Sequence, residues 1–349
     1  MSTGLSPHGK MRIKQIREVQ PMTRFIHIAD LHYARHTGNA ITAERTSFDV
    51  QSEKLAQLAD VIREESIKAV LIAGDIEVSD PEDFVPYLKT WTALGASVYV
   101  VYGDHDLNRI AYDDCWLQME HVHSFLQPGY IFDEALGAGI YGLSCETNQA
   151  GLKEEFAHTP LRDDPYPNIF LSHGSRDQFP ASVVTRLGFR YYALGHHHRY
   201  ESIHRGGANL VYPGHIFSVW DGCGKAWPTG YVIGEVTPTG ITHEFRTFKG
   251  PETRRISFNP FFRDGSRLLL TQDNLDGPPE QWVEDDETVL RELLHTTLAA
   301  YPDDYFVTPS QSKGYPTRRL SMTGRLLLED DKRFEEFFAR SFKAKKTTQ

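Results

Sequence analysis

Asp30-Leu31-His32, Gly74-Asp75, Gly103-Asp104-His105-Asp106, His173-Gly174 and Gly195-His196-His197-His198 spread carboxylates and imidazoles over five segments of a 349-residue chain. Carboxylate oxygens and neutral imidazole nitrogens are ligands for divalent cations that work without redox chemistry. Two such cations about 3.5–4 Å apart can hold a phosphodiester, activate a water and neutralise a leaving oxygen. In that chemistry Asp75 is the natural bridging carboxylate. Asp30, His32 and His198 would complete the protein shell of one ion, and Asp104, His173 and His196 that of the other. His196 and His198 are two apart on an extended segment and share a face, whereas His197 points the opposite way and is left out. His105 is the candidate for protonating the leaving oxygen or positioning the phosphate, because an imidazole near a dication cluster can exchange a proton near neutral pH. Asp106 stands beside it and could orient it.

Taken singly, each cluster has an ordinary reading. A Gly-Asp after a strand is usually a turn, and a Gly-His-His-His run can be a surface loop. The shared context sets these clusters apart, because each follows a short apolar run: 25–29, 69–73, 98–102, 169–171 and 191–194. Such β-branched and aromatic runs, ended by Gly or polar residues, read as buried strands. Ligands on the loops past strand ends are then held in place by a rigid scaffold. His27, inside the first run, reads as a core or sheet-face histidine, and His121-Val122-His123 as the surface of a helix or loop. His36, His158, His204, His243 and His295 are taken as structural or exposed.

The intervening elements point to an α/β core. Leu55, Leu58, Ala59 and Ile62 recur at helical spacing within 49–65, and a second helix is expected over 83–94. Strand, helix, strand, helix, strand is the order of an α/β fold. Residues 1–21 lack periodicity and read as a flexible extension ahead of a catalytic domain over 22–250. Within it, 230–248, with Pro238-Thr239-Gly240 between two alternating runs, reads as a hairpin closing the second sheet. Strand-like 255–258 and 267–270, helix-like 287–300 and strand-like 319–327 suggest a small α+β cap over 251–328. A helix over 330–343 carries Phe334, Phe337, Phe338 and Phe342 on one face and leads into a basic tail, the whole occupying 329–349. That stripe either packs on its own protein or docks on an ATPase or second subunit.

Composition sets further bounds. The net charge of −10 opposes nucleic-acid binding, in which Lys and Arg neutralise phosphates. Ions bound by the carboxylate-rich site would cancel part of it, and the C-terminal region offers Arg318, Arg319, Arg325, Arg340, Lys343, Lys345 and Lys346. Cys115, Cys145 and Cys223 lack metal spacing and suggest a reducing compartment. No apolar run approaches 18 residues, so the expectation is a soluble, cytoplasmic protein with no membrane partner.

The order Asp-x-His, Gly-Asp, Gly-Asp-His-Asp, His, Gly-His-x-His over residues 25–198 resembles the calcineurin-like metallophosphoesterases. Leu210-Val211-Tyr212-Pro213-Gly214 is similar to the segment that follows the last motif in the SbcD-like DNA repair nucleases, the nuclease subunits paired with SMC-like ATPases. Residues 318–325 are similar to a strand in the capping domain of that group. The resemblance implies a four-layered αββα metallophosphoesterase sandwich with a small C-terminal cap, and cleavage of DNA phosphodiesters by two divalent metal ions, manganese or else magnesium. DNA is the implied substrate and an SMC-like ATPase the implied partner. Exonuclease or endonuclease action, and a homodimer, stay open. Three positions depart from the family pattern. Asp104 replaces an Asn, Val78 stands where several members carry His or Asp, and His215 replaces a Ser as an extra phosphate or metal contact, or as a loop residue with no role. The alternatives are a phosphodiesterase for small molecules of the cyclic-nucleotide type, and a structural partner of an ATPase whose site is impaired by Asp104.

Overall fold

The computed structural model describes residues 22–33, 47–107, 109–145, 151–217, 226–238, 240–307 and 321–342. The chain runs β1 (Thr23–Ile28), α1 (Ser47–Glu65), β2 (Ala69–Ala73), α2 (Val85–Ala93), β3 (Ser97–Val101), α3 (Arg109–Trp116) and β4 (Val122–Ser124). It continues through β5 (Gly129–Asp133), β6 (Ala138–Leu143), α4 (Leu152–His158), β7 (Asn168–His173), α5 (Ala181–Leu187), β8 (Tyr191–Gly195), β9 (Tyr200–Arg205) and β10 (Ala208–Pro213). A hairpin of β11 (Gly230–Thr237) and β12 (Gly240–Thr247) follows. The first sheet has the order β12-β11-β1-β2-β3-β4 and the second β5-β6-β7-β8-β10-β9.

Alternation along the strands builds the layers. In β1, Phe25 faces the second sheet beside Leu71, Ile169 and Tyr191, while Ile26 and Ile28 face Leu55, Leu58 and Ile62 of α1. The outer face of the second sheet packs Phe170, Tyr192 and Leu210 against Leu152 and Phe156 of α4 and Val184 and Leu187 of α5. The result is helix, sheet, sheet, helix, the αββα sandwich expected from the sequence. His27 lies in its middle, fully buried, with Nδ1 3.0 Å from the Tyr191 hydroxyl.

Two expectations for this part are corrected. The 230–248 hairpin closes the first sheet: β11 runs antiparallel to β1, with Phe25 opposite Gly234. A Cβ at Gly234 would stand 2.0 Å from Phe25 Cζ, so the missing side chain is what lets the Phe25 ring lie there. Of the stretch 121–123 only His121 is exposed, since Val122 and His123 belong to β4, which extends the first sheet, and His123 stacks on Tyr99 at 5.0 Å.

The third sheet, order β15-β14-β13-β16-β17, comprises β13 (Thr253–Asp264), β14 (Arg267–Asp273), β15 (Glu280–Glu284), β16 (Tyr305–Val307) and β17 (Ser321–Thr323). Helices α6 (Glu287–Ala300), α7 (Gly324–Glu329) and α8 (Asp331–Ser341) cover it. The strand expected over 319–327 is only β17 within the described residues, because Thr323 accepts a hydrogen bond from the Leu326 amide and starts α7 as its N-cap. The aromatic stripe of α8 packs on its own chain: Phe337 and Phe338 are buried with Ile256, Phe258 and Leu270. The basic positions 318, 319, 343, 345 and 346, together with His36 and Cys223, lie outside the described residues. No helix among the described residues is long and apolar enough to cross a membrane.

Candidate metal centre

The loops that leave β1, β2, β3, β7 and β8 meet at one edge of the sandwich, and the backbone is bent to do so. Asp30 (φ 52°), His32 (φ 44°), Asp75 (φ 52°), Glu77 (φ 50°) and His196 (φ 92°) all adopt the left-handed region, which is unusual for residues with side chains and concentrates at functional sites. Hydrogen bonds hold the bends, from Asp30 N to Gly74 O at 3.1 Å, His32 N to Asp75 O at 3.0 Å and His196 N to Asp30 Oδ1 at 2.9 Å. The glycines ahead of the acidic and histidine residues are there for space. A Cβ on Gly103 would lie 2.1 Å from Asp75 Oδ1, and one on Gly195 2.0 Å from Ala73 O and 2.5 Å from His173 Nδ1. Gly103→Ala is therefore expected to displace the Asp75 carboxylate and weaken metal binding by about 10–100-fold, the range for loss of a ligand's support. Isothermal titration with manganese checks this, and unchanged affinity would contradict it.

The side chains form overlapping groups, two of which match the expected ligand shells. Asp30, His32 and His198 each offer a ligand atom within 4.8 Å of the others, as do Asp104, His173 and His196. His32 Nε2 and His198 Nε2 face each other at 3.2 Å, and His198 Nε2 lies 3.8 Å from Asp30 Oδ1. In the second group Asp104 Oδ1 is 3.2 Å from His173 Nε2 and 3.5 Å from His196 Nδ1. Asp75 stands between them, its Oδ2 3.3 Å from His173 Nε2 and 3.7 Å from His32 Nε2.

Electrostatics follow from burial and mutual charge. Burial alone would lower the His173 pKa, but Asp75, Asp104 and Asp30 raise it well above the usual histidine value. For Asp75 burial acts upward, and His173 and His32 more than offset it, leaving the carboxyl below the ordinary range. The close approach of His173 and His196 also holds the Asp104 carboxyl well below the ordinary range. For His198 burial, then the neighbouring His32, outweighs the upward pull of Asp75 and lowers its pKa to about 3, so it is a neutral imidazole.

These residues fit divalent cations. His173 Nδ1 donates to the Ala73 carbonyl at 2.8 Å, which aims Nε2 into the cluster. There, His173 Nε2 and Asp104 Oδ1 are both buried without a hydrogen-bond partner. Orphaned buried donors and acceptors are rare, and a cation between them accounts for both. Mixed imidazole and carboxylate donors suit manganese or zinc better than magnesium, which prefers oxygen.

The surrounding residues divide differently from expectation. Glu77, which the sequence reading passed over, has Oε2 2.6 Å from His32 Nδ1 and so fixes that ring's orientation. Val78, by contrast, is buried in the core beneath the helices. Asp106 does not reach the His105 ring: it is fully buried, and its oxygens accept from Gly103 N at 2.7 Å and Glu77 N at 2.8 Å. It ties two site loops together, and burial raises its pKa to about 6. His105 is exposed, edge-on to His32 with ring centroids 5.2 Å apart, and its amide donates to Asp75 Oδ1 at 3.0 Å. His197 stacks on Tyr212 at 4.3 Å, away from the cluster. His215 is buried, with Nδ1 donating to the His198 carbonyl at 2.6 Å, so it supports a site loop.

The model of the calcineurin-like phosphoesterase superfamily domain matches residues 23–237, which takes in all of these loops. The chain belongs to that superfamily. Its members are metal-dependent phosphoesterases with a dinuclear site, and this phosphoesterase has ligand groups for one. It is 25% identical over 252 residues to an uncharacterized metallophosphoesterase, YhaO, of Bacillus subtilis, covering 64% of this chain and 59% of the relative. It is 24% identical over 206 residues to the DNA double-strand break repair protein Mre11 of Sulfurisphaera tokodaii, covering 54% of this chain and 52% of that protein. The phosphoesterase thus spans little more than half the length of the curated relatives it matches. Similar solved structures include an archaeal phosphodiesterase (12% identity, TM-score 0.38, 64% of this chain and 100% of that one). A dimetal phosphatase from Danio rerio is comparable (12% identity, TM-score 0.40, 65% and 99%).

Proposed function

We propose that this phosphoesterase hydrolyses phosphodiester bonds of DNA with two manganese ions, one held by Asp30, His32 and His198 and the other by Asp104, His173 and His196, with Asp75 shared. The observation that carries the reading is the meeting of these seven side chains from five loops around the buried, unpartnered His173 Nε2 and Asp104 Oδ1. Similarity to a double-strand break repair protein supports DNA as the substrate. Two bound divalent cations supply neutralisation of phosphate charge, acidification of a water and stabilisation of the leaving oxygen. Glu77 holds the His32 ring, Asp106 locks the loop of Gly103 to that of Glu77, and the exposed His105 hands a proton to the leaving oxygen. Residues 251–328 would then cap the groove through which the strand reaches the centre.

His105→Ala is expected to reduce turnover by about 10²–10⁴-fold, the usual contribution of a positioned proton donor, with two ions still bound. Full activity in that variant would remove His105 from the mechanism. Cleavage of labelled linear duplex, closed-circular and single-stranded DNA in manganese tests the substrate, and cutting of the closed circle separates internal from end-directed action. The net charge of −10 favours a second reading, a small diester substrate. Turnover of a small chromogenic diester that DNA does not compete for, with no DNA cut, would establish it.

A further inference from the structure

A cavity of about 420 Å³ is lined by Arg199, Tyr200, Glu201, Trp227, Pro228 and Phe245. Its size falls within the about 300–1,000 Å³ of small-ligand sites. It sits where the edge strand of the second sheet, β9, meets the edge strand of the first, β12. Tyr200, which opens β9, follows the candidate ligand His198 by two residues, so the cavity draws on the loop that carries that ligand.

Three features give the cavity its chemistry. Tyr200 and Phe245 lie parallel across the sheet junction, centroids 4.4 Å apart and planes 18° apart. Phe245 is seated by Gly230, where a Cβ would stand 2.4 Å from its Cζ, so this wall is preformed. Opposite, the Arg199 guanidinium lies 5.4 Å from the Trp227 ring centroid. Arg199 is only loosely held by protein carboxylate: Glu201 pairs closely with Arg176, has His197 Nδ1 at 3.4 Å, and is 4.0 Å from Arg199. Nearly half of the Arg199 side chain is exposed and can turn toward an anion. Aromatic faces with an adjacent arginine are what bind bases of single-stranded nucleic acid, by stacking and by cation–π attraction. The Glu201 carboxylate supplies an acceptor for a ring N–H.

We propose that this cavity is a stacking subsite for the nucleobase next to the phosphate being cut, an inference that rests on the phosphodiesterase reading of the neighbouring centre. A base held there would set the scissile phosphate over the metal cluster, with Arg199 contacting the phosphate or its neighbour. The subsite selects diesters carrying a planar heterocycle over diesters of plain alcohols.

The test is calorimetric binding of thymidine 5′-monophosphate and of 2-deoxyribose 5-phosphate to the full chain with manganese, for the wild type, Trp227→Ala, Trp227→Phe and Tyr200→Ala. The wild type should prefer the nucleotide by about tenfold to a hundredfold, the range of one base stack. Trp227→Ala and Tyr200→Ala should each lose most of that preference, and Trp227→Phe should keep it. Equal affinity of the wild type for both ligands, or equal loss of both ligands in the Ala variants, would overturn the subsite. A protein that keeps the nucleotide preference but cuts no DNA would support the subsite while contradicting the DNA reading.

Discussion

Asp75→Asn is expected to lower kcat/KM on any phosphodiester by about a thousandfold or more, about 4 kcal/mol of transition-state stabilisation. Asp75 approaches both groups, 3.3 Å from His173 Nε2 and 3.7 Å from His32 Nε2, and it is 2% exposed. Its other oxygen accepts the His105 amide, so it also fixes the loop that carries the proton donor. An amide keeps the shape but loses the charge that draws two cations together, and its NH₂ group repels them. Glu77→Gln should be milder, about 10–100-fold, because Glu77 acts only through the orientation of His32. Steady-state kinetics with metal content measured on the same samples check the pair. Asp75→Asn with two ions and more than a tenth of wild-type activity would refute the bridging role.

Lys54→Met is expected to destabilise the fold by about 3–5 kcal/mol, the cost of removing one partner of a buried ion pair. Lys54 is 1% exposed, and its ammonium donates to Thr229 Oγ1 and to Glu252 Oε1 at 3.0 Å between the rings of Phe217 and Phe248. Glu252 in turn accepts from Thr229 N at 3.2 Å, and its own amide donates to Asp304 Oδ1 at 2.9 Å. One charge pair thus joins α1, the approach to β11 and the entrance of the third sheet. Burial raises the Glu252 pKa and Lys54 opposes that rise, so without Lys54 the carboxylate is left buried and uncompensated. Lys54→Met combined with Glu252→Leu should recover most of the loss, as apolar replacement of a whole buried pair often does. Urea unfolding of the wild type and the two variants measures it. A cost below about 1 kcal/mol for Lys54→Met would mean that water reaches the pair. The site would feel the change, because Gln51, one turn earlier on α1, holds the Leu31 carbonyl at 2.7 Å and the Phe217 carbonyl at 2.9 Å.

The sandwich and its chemical edge were legible because the signal is local. Each β-branched run and the Asp or His that ends it are contiguous, and β2 spans the expected 69–73. What escaped depends on geometry that neighbours in sequence do not encode. The family pattern drew attention to Val78, whereas the left-handed bends at Asp75 and Glu77, which no local sequence signal announces, bring Glu77 to His32. Pro238-Thr239-Gly240 announces a hairpin but not which sheet it joins; that is set by Phe25 lying over Gly234, about two hundred residues distant. Leu326-Leu327-Leu328 has neither helical nor strand period, and the Thr323 cap decided for helix. Asp106 seemed a natural partner for adjacent His105, yet one is buried and the other exposed. The cavity draws on residues 199–201, 227–228 and 245, and no single stretch shows it.

The most direct measurement is the anomalous difference density of crystals soaked in manganese, collected on the wild type and on Asp75→Asn. The expected result is two peaks in the wild type, one against Asp30, His32 and His198 and one against Asp104, His173 and His196, both touching Asp75, with at least one lost in the variant. A single peak, or two peaks elsewhere that leave Asp75 untouched, would contradict the dinuclear centre on which the proposed chemistry depends.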